Sequence, residues 1–255
     1  MKEFEEALDL VMDAGQTLLE NGSEVFRVQQ TMEIMAHSLG VEDFHVYVLT
    51  NGIFASALGG RYAPVRHVPL VRIHLDRVEQ VNALSRALAA GALTPAAARA
   101  ALEQARAPEH ASPAIDLLAC VVGSACFGFL FGGGPAEVVV AGLAGLVEQR
   151  VVQWFGARGI NRIFTLITAS ALATALAIAA RFFVHSLNPA SAIIGALMVL
   201  TPGVALTMGI RDILGADYLS GAIRLLDAVL VAGSLACGVA LAWLAAQGLG
   251  VQVWL

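Results

Sequence analysis

The chain has 255 residues, is 58% hydrophobic and carries a net charge of −5 at neutral pH. All of that charge lies in its first part: residues 1–114 contain 9 Lys and Arg against 14 Asp and Glu, whereas residues 115–255 contain 6 of each. This balance excludes a basic surface for nucleic acid, and the second part has the composition of a membrane domain.

The sequence lacks the common motifs of enzymes and nucleotide-driven pumps. There is no P-loop, GxGxxG, GxSxG or HExxH pattern, so we predict neither an enzyme nor an ATP-driven pump within this chain. The three cysteines, Cys120, Cys126 and Cys237, lie in apolar runs without a CxxC pair. This placement predicts small hydrophobic side chains rather than a disulfide or a metal site, and no cofactor is expected.

Residues 1–112 predict a small soluble α+β domain. The N-terminus is acidic and amphipathic without the apolar core of a signal peptide, so we expect this domain to be cytoplasmic. The turn Thr50-Asn51-Gly52 predicts a hairpin of the first two strands. Helical periodicity predicts helices that begin near Phe4, Ser23, Asp76 and Thr94, and strand-like runs cover Phe44–Leu49, Ile53–Leu58 and Val68–Leu75.

Five long apolar runs follow a linker at Arg106–Pro113. Each run approaches the ~20 residues that a bilayer-spanning helix needs. Residues 113–255 therefore predict an α-helical polytopic membrane protein with five transmembrane helices. The runs are Ile115–Phe131, Ala136–Phe155, Ile163–Val184, Ala190–Ile210 and Leu219–Ala246.

The positive-inside rule gives this membrane domain an orientation. With the first domain in the cytosol, Arg158, Arg162 and Arg211 fall on the cytosolic side, and the outer loops carry no Lys or Arg. Five spans then place the C-terminus on the outer side. An odd number of spans without an internal repeat suggests that the working unit needs further copies of the chain or a partner subunit.

The stretch Val199–Val229 concentrates polar residues within the last two runs. A charge at the centre of a membrane helix costs ~2.5–3.5 kcal/mol, so a polar face there is expected to meet protein, water or a solute. Four of these residues are spaced by three, four and three positions and share one helix face: Asp217, Ser220, Arg224 and Asp227.

Two interpretations of this face are open. In the first, Arg224 clamps a substrate carboxylate while an Asp carries a proton or binds an ammonium group. In the second, Arg224 and Asp227 neutralise each other and hold the fourth span against the fifth. The pathway hypothesis takes in further residues: Pro202, Gly203, Arg211 and Asp212, and, as additional candidates, Gly132, Gly133 and Glu148.

Pro202 and Gly203 interrupt the fourth run. Proline removes a backbone hydrogen bond and clashes with the preceding turn, and the carbonyls of a broken helix can meet a solute, as in transporters. A packing kink explains the pair equally well. For Glu148 the alternative to a pathway role is a side chain that reaches the cytosolic interface.

The motifs along the chain include LLENGSEVFRVQQTM (Leu18–Met32), VLTNGIF (Val48–Phe54), LTPGVALTMGIRD (Leu200–Asp212) and DYLSGAIRLLDA (Asp217–Ala228). They resemble those of the threonine/serine exporter (ThrE) family, and more closely its split YjjP-type subunit. The resemblance runs in order from about Leu18 to Ala240. It implies export across the inner membrane, of threonine and serine in fused members and of a dicarboxylate such as succinate in split ones. It also implies a second, smaller membrane subunit.

We therefore expect a subunit of a secondary transporter, driven by the proton gradient, that exports a small polar metabolite. Its expected partners are the lipid bilayer and the second membrane subunit, further copies of the chain, or both, with no nucleic acid. The alternative is a membrane-anchored regulatory or scaffold protein with a ligand-binding cytoplasmic domain. A membrane-tethered hydrolase is the third and least favoured hypothesis.

Overall fold

A computed structural model describes residues 2–69, 73–107 and 112–250, which are mostly helical. Within these residues it contains ten helices and one three-stranded sheet. The strands are β1 (Phe44–Leu49), β2 (Gly52–Ala57) and β3 (Val65–His67). The helices are α1 (Lys2–Glu20), α2 (Val25–Ser38), α3 (Leu75–Ala89), α4 (Pro95–Arg106), α5 (Pro113–Leu130), α6 (Pro135–Gly156), α7 (Arg162–Phe183), α8 (Pro189–Met198), α9 (Gly203–Leu214) and α10 (Tyr218–Gly248).

The chain divides into two compact units. The first comprises Met1–Glu109 and Ala205–Leu225, and the second comprises His110–Val204 and Leu226–Leu255. The first unit thus includes most of α9 and the start of α10 in addition to the N-terminal elements. The domain division after residue 112 stays a prediction.

In the first unit, α1 to α4 surround one buried core to which the sheet contributes. The side chains of Val46, Val48 and Ile53 point into this core, following the alternation of strand residues. The predicted hairpin is confirmed: β1 and β2 are antiparallel, and Leu49 pairs with Gly52 across the two-residue turn.

The third predicted strand, Val68–Leu75, is misplaced. The strand that pairs with β2 is Val65–His67, and Leu75 is the first residue of α3; residues 70–72 lie outside the described residues. Val68 is fully buried and its N–H donates to the carbonyl of Asn51 at 2.9 Å. Its apolar character reflects core packing rather than a longer strand.

The four helices of the first unit begin within two residues of the predicted positions. α1 ends directly before Asn21-Gly22, and Thr94 Oγ1 accepts a hydrogen bond from the N–H of Ala97 at 3.3 Å as the cap of α4. α2 begins at Val25 rather than near Ser23, and Glu24 occupies the position before it without a capping side-chain bond.

The second unit is a bundle of α5 to α8 together with the later part of α10. Small residues permit its closest contacts: a Cβ atom added to Gly195 of α8 would lie 2.6 Å from the Cα atom of Gly128 of α5. The two backbones therefore touch at a point where neither carries a side chain. Such contacts are typical of helices that associate in lipid.

Four helices, α5, α6, α7 and α10, are long and apolar enough to cross a membrane. α8 and α9 satisfy the same criterion together, but the chain bends by 60° between them, so the number of candidate spans is four or five. The predicted fourth run is thus a broken pair, with α9 beginning directly after Pro202. These helices support the predicted class of polytopic helical membrane protein.

Candidate functional site

The predicted polar face is divided by the fold. Asp217 precedes α10, and its Oδ1 accepts a hydrogen bond from the N–H of Ser220 at 3.4 Å, which is the arrangement of an N-cap. Ser220 and Arg224 belong to the first unit, whereas Asp227 belongs to the second. Only the last three of the four residues therefore lie on the helix itself.

A tight turn joins α9 to α10. The N–H of Ala216 donates to the carbonyl of Ile213 at 3.0 Å, and that of Asp217 donates to the carbonyl of Asp212 at 2.9 Å. This pair of bonds is a Schellman motif. Ala216 has φ of +64°, a conformation that glycine adopts more readily. The turn sends α10 back along α9.

Two glycines let α9 and α10 approach closely. A Cβ atom on Gly221 would lie 2.5 Å from Cγ1 of Ile213, and one on Gly209 would lie 3.2 Å from Cβ of Arg224. A larger residue at either position would push the helices apart. The close approach allows Nε of Arg224 to lie 3.0 Å from Oδ2 of Asp212.

The guanidinium group of Arg224 is mostly buried and is contacted on three sides. Its side chain is 15% exposed and that of Asp212 is 5% exposed. The two form an ion pair whose facing atoms are not aligned as a hydrogen bond. Nη1 of Arg224 donates to Sδ of Met208, and Nη2 donates to the carbonyl of Ser23, each at 3.3 Å. Since a guanidinium carries five N–H donors, Arg224 retains capacity for a second anion.

A second ion pair joins the neighbours of these residues in sequence, Arg211 before Asp212 and Glu24 after Ser23. Nη1 of Arg211 donates to Oε1 of Glu24 at 2.5 Å. Arg211 is 60% exposed, whereas Glu24 is only 16% exposed. The remaining oxygen of Glu24 is buried, has no hydrogen bond to any residue that the structure describes, and lies 3.9 Å from Nε of Arg27.

Ser23 and Glu24 also belong to this cluster, although no pattern in the sequence indicated them. They are separated from their partners Arg224 and Arg211 by 201 and 187 positions. No periodicity or local spacing connects residues so far apart in sequence. Only the fold brings the α1–α2 connection to the α9–α10 turn.

Several polar atoms of the cluster have unused hydrogen-bonding capacity. Oγ of Ser220, one turn before Arg224, is buried and accepts or donates no hydrogen bond among the described residues, and the same holds for Oδ2 of Asp212 and Oε2 of Glu24. Buried polar atoms are usually hydrogen-bonded in native proteins. The arrangement of two arginines, two carboxylates and a hydroxyl suits a small solute that carries a carboxylate and further polar groups.

The ion-pair partner of Asp227 is Arg162 and not Arg224, which its spacing on the helix had suggested. Its carboxylate accepts hydrogen bonds from Nη1 of Arg162 at 3.1 and 3.2 Å. Arg224 pairs with Asp212 instead. The interpretation of an Arg224–Asp227 pair is therefore wrong, because each side chain finds an opposite charge on another helix.

The glycines and proline of the predicted pathway lie at helix ends. Pro202 and Gly203 form the break before α9. Gly132, with φ of +80°, and Gly133 close a Schellman motif at the end of α5, where their N–H groups donate to Phe129 and Gly128 at 3.0 Å. These positions have a local structural reason, and their pathway role stays a prediction.

Glu148 lies within α6 and is fully buried. Neither of its carboxylate oxygens has a hydrogen-bond partner in residues 2–69, 73–107 or 112–250. The side chain therefore does not reach an interface as the alternative interpretation required. In the part of the chain that the structure describes, no group of three or more His, Cys, Asp or Glu is placed to hold a metal ion.

Comparisons with known proteins add a family. A model described as a putative threonine/serine exporter matches residues 9–245. A probable threonine/serine exporter of Mycobacterium tuberculosis (strain ATCC 25618 / H37Rv) is 22% identical over 251 residues, which cover 96% of this chain and 47% of the relative. A threonine/serine exporter of Corynebacterium glutamicum is 22% identical over 257 residues, which cover 96% of this chain and 51% of the relative. This chain thus spans about half the length of the curated relatives it matches, and no solved structure matches it significantly.

Proposed function

This chain belongs to the threonine/serine exporter family, and on that premise we propose that it is a subunit of a secondary transporter that exports small metabolites from the cytoplasm. The substrates are threonine and serine or a dicarboxylate such as succinate, and export is coupled to protons. The resemblance to a family of exporters, rather than of enzymes, supports this proposal, as do the four or five candidate membrane spans.

The observation that carries the proposal is the mostly buried Arg224 with its unfilled donors. A guanidinium group binds a carboxylate through two parallel hydrogen bonds, and every proposed substrate has a carboxylate. Asp212 occupies one side of Arg224 at 3.0 Å. We propose that the substrate carboxylate competes with Asp212 for this guanidinium during transport.

The two substrate classes require different neighbours of Arg224. An amino acid needs a carboxylate for its ammonium group, which Glu24 or Asp212 supplies. A dicarboxylate needs a second cation, which Arg211 supplies. The Glu24–Arg211 pair at 2.5 Å contains both kinds of group, so its variants distinguish the substrates.

The test is uptake of labelled serine, threonine and succinate into proteoliposomes that contain this chain and its partner subunit. Arg224→Lys removes the planar guanidinium group that can bind a carboxylate through two hydrogen bonds. It is expected to slow transport of the true substrate about tenfold or more. Arg211→Gln is expected to impair succinate selectively, and Glu24→Gln to impair serine and threonine selectively. Unchanged transport of all three solutes by Arg224→Lys would remove Arg224 from the pathway.

We extend the proposed pathway to the remaining candidates from the sequence. Asp227 and the break before α9 are among these candidates. The pathway residues are Pro202, Gly203, Arg211, Asp212, Asp217, Ser220, Arg224 and Asp227, with Gly132, Gly133 and Glu148 as further members.

The assembly around this subunit is also a proposal. The resemblance of its motifs to the split subunits of the family supports a second, smaller membrane subunit that works with this chain. We place the protein in the inner membrane, with residues 1–112 as a soluble cytoplasmic α+β domain and the C-terminus on the outer side. Homo-oligomers of the complete assembly are compatible with the odd number of predicted spans.

One observation favours the alternative of a regulatory protein with a ligand-binding domain. A cleft of about 630 Å³ in the first unit is lined by α2, β1 and the turn before α10. Its polar lining includes Gln29, Glu33 and Asp217. A protein of this kind would bind serine or succinate at the cleft without transporting it, so Glu33→Gln would weaken binding while Arg224→Lys would leave it unchanged.

A further inference from the structure

Two glutamates on α6 have opposite surroundings. Glu137, in the first turn, is 9% exposed, and its Oε1 accepts a hydrogen bond from the N–H of Asn188 at 2.8 Å. Glu148, three turns later on the same helix, is fully buried, and neither oxygen has a hydrogen-bond partner among the described residues. Burying a carboxyl group without partners is costly, so Glu148 does not stabilise the bundle.

The side of α6 that carries Glu148 faces small polar groups of α5. Gly145 lies one turn before Glu148 and on the same face. The thiol of Cys120 donates to the carbonyl of Gly145 at 3.3 Å, and a Cβ atom on Gly145 would lie 2.2 Å from Oγ of Ser124. That hydroxyl is buried and meets the geometric criteria of a hydrogen bond with none of the described residues. Cys120 is thus the titratable group that α5 presents near Glu148.

The charges on the surrounding helices do not compensate Glu148. α8 carries no charged residue, and α7 carries only Arg162 and Arg181, at its two ends. Arg162 is already paired with Asp227 of α10, and the acidic residue of α5 is Asp116, in its first turn. Within the described part of the chain, Glu148 therefore has no ion-pair partner.

From this geometry we infer that Glu148 is the proton-binding carboxyl of the exporter, an inference that rests on the proposed transport function. An ionised carboxylate without a partner is strongly disfavoured inside a membrane bundle. In this conformation Glu148 therefore holds a proton on one carboxylate oxygen. It releases that proton, and becomes a carboxylate, in a conformation that admits water to it.

The aspartates considered for this role are engaged elsewhere. Asp212 pairs with Arg224, Asp227 pairs with Arg162, and Asp217 caps α10. Of these four acidic residues, Glu148 alone has neither an ion pair nor a hydrogen bond within the described part of the chain.

The first test detects the proton directly and does not require transport. Infrared difference spectra of the purified full chain in lipid, recorded as the pH is raised, are expected to show the loss of a protonated-carboxyl band. Glu148→Gln, which is close in shape to the protonated acid, should remove that band, and Glu137→Gln should leave it. A band that persists in Glu148→Gln, or that is absent from the wild type, would overturn the inference.

The second test separates this inference from the proposed function. In proteoliposomes with the partner subunit, an imposed pH gradient should accelerate uptake of serine or succinate by the wild type. In Glu148→Gln, the ratio of uptake with the gradient to uptake without it should fall at least tenfold relative to the wild type. If the wild type moves none of the solutes, the proposed function fails while the infrared result stands. An undiminished response of Glu148→Gln would refute the proton-binding role alone.

Discussion

Asp13 on α1 shows how one residue joins separate parts of the first unit. Its carboxylate pairs with Arg66 of β3, with Arg99 at 3.7 Å and with Arg106 at 3.3 Å, and the last two lie on α4. The side chain is 21% exposed, so these pairs are less screened than pairs on an open surface. One carboxylate therefore links the sheet, the first helix and the fourth.

Asp13→Asn is expected to lower the free energy of unfolding by about 1–2 kcal/mol, because partly exposed ion pairs contribute roughly 0.2–1 kcal/mol each. Asp9→Asn is the matched control. Asp9 is 53% exposed and pairs with Arg66 at 3.7 Å, so its replacement should cost less. Thermal unfolding of the purified chain measures both variants, and equal losses would contradict the role of Asp13.

At the scale of the elements, the connection between α9 and α10 contains local strain. Ala216 adopts φ of +64° at the position after a helix end where glycine is usual. The left-handed conformation costs roughly 1–2 kcal/mol for a residue with a Cβ atom. In the same turn, Asp217 caps α10. The turn follows the end of α9, where Arg211 and Asp212 form ion pairs.

Ala216→Gly is therefore expected to stabilise the protein by about 1 kcal/mol, since it removes this strain. Gly91→Ala provides the reverse experiment, because Gly91 follows α3 with φ of +67° and has open space around it. That variant should lose a similar amount. Chemical or thermal unfolding measures both shifts, and a destabilised Ala216→Gly would show that the turn is not strained.

At the scale of the whole molecule, the first unit is discontinuous in sequence. The segment Ala205–Leu225 belongs to the same compact unit as the N-terminal elements. Its charged residues reach the α1–α2 connection, where Arg211 binds Glu24 and Arg224 binds the carbonyl of Ser23. The proposed substrate cluster thus combines residues from both ends of the chain.

A charge exchange tests this long-range contact. Glu24→Arg and Arg211→Glu, made singly, replace an attraction by a repulsion and should each cost about 1 kcal/mol. The double variant should recover part of that loss, and Arg27, 3.9 Å from Glu24, keeps the recovery incomplete. Thermal stability and resistance to proteolysis are the measurements. Strictly additive losses would mean that the two side chains do not meet.

The sequence predicted the elements whose signals are local. Long apolar runs predicted the membrane helices, the Asn-Gly turn predicted the hairpin, and Pro202 marked the break before α9, because length, turn chemistry and the missing proline N–H act within a few residues. The Val68–Leu75 strand failed because apolar residues also enter a core without strand pairing. The candidate residues could be selected from their types and spacing, but their roles stay predictions.

Partners and burial are properties that only the tertiary structure decided. On α10, spacing alone allowed Arg224 to pair with Asp227. In the structure, Arg224 pairs with Asp212 of α9, and Asp227 pairs with Arg162 of α7. Glu24 lies 187 positions from its partner Arg211, and Glu148 has no hydrogen-bond partner in the described part of the chain. The sequence by itself determined the family, the helical membrane class and the polar residues available. Which charges meet and which stay alone depends on distances between segments that are remote in sequence, and no local pattern encodes those distances.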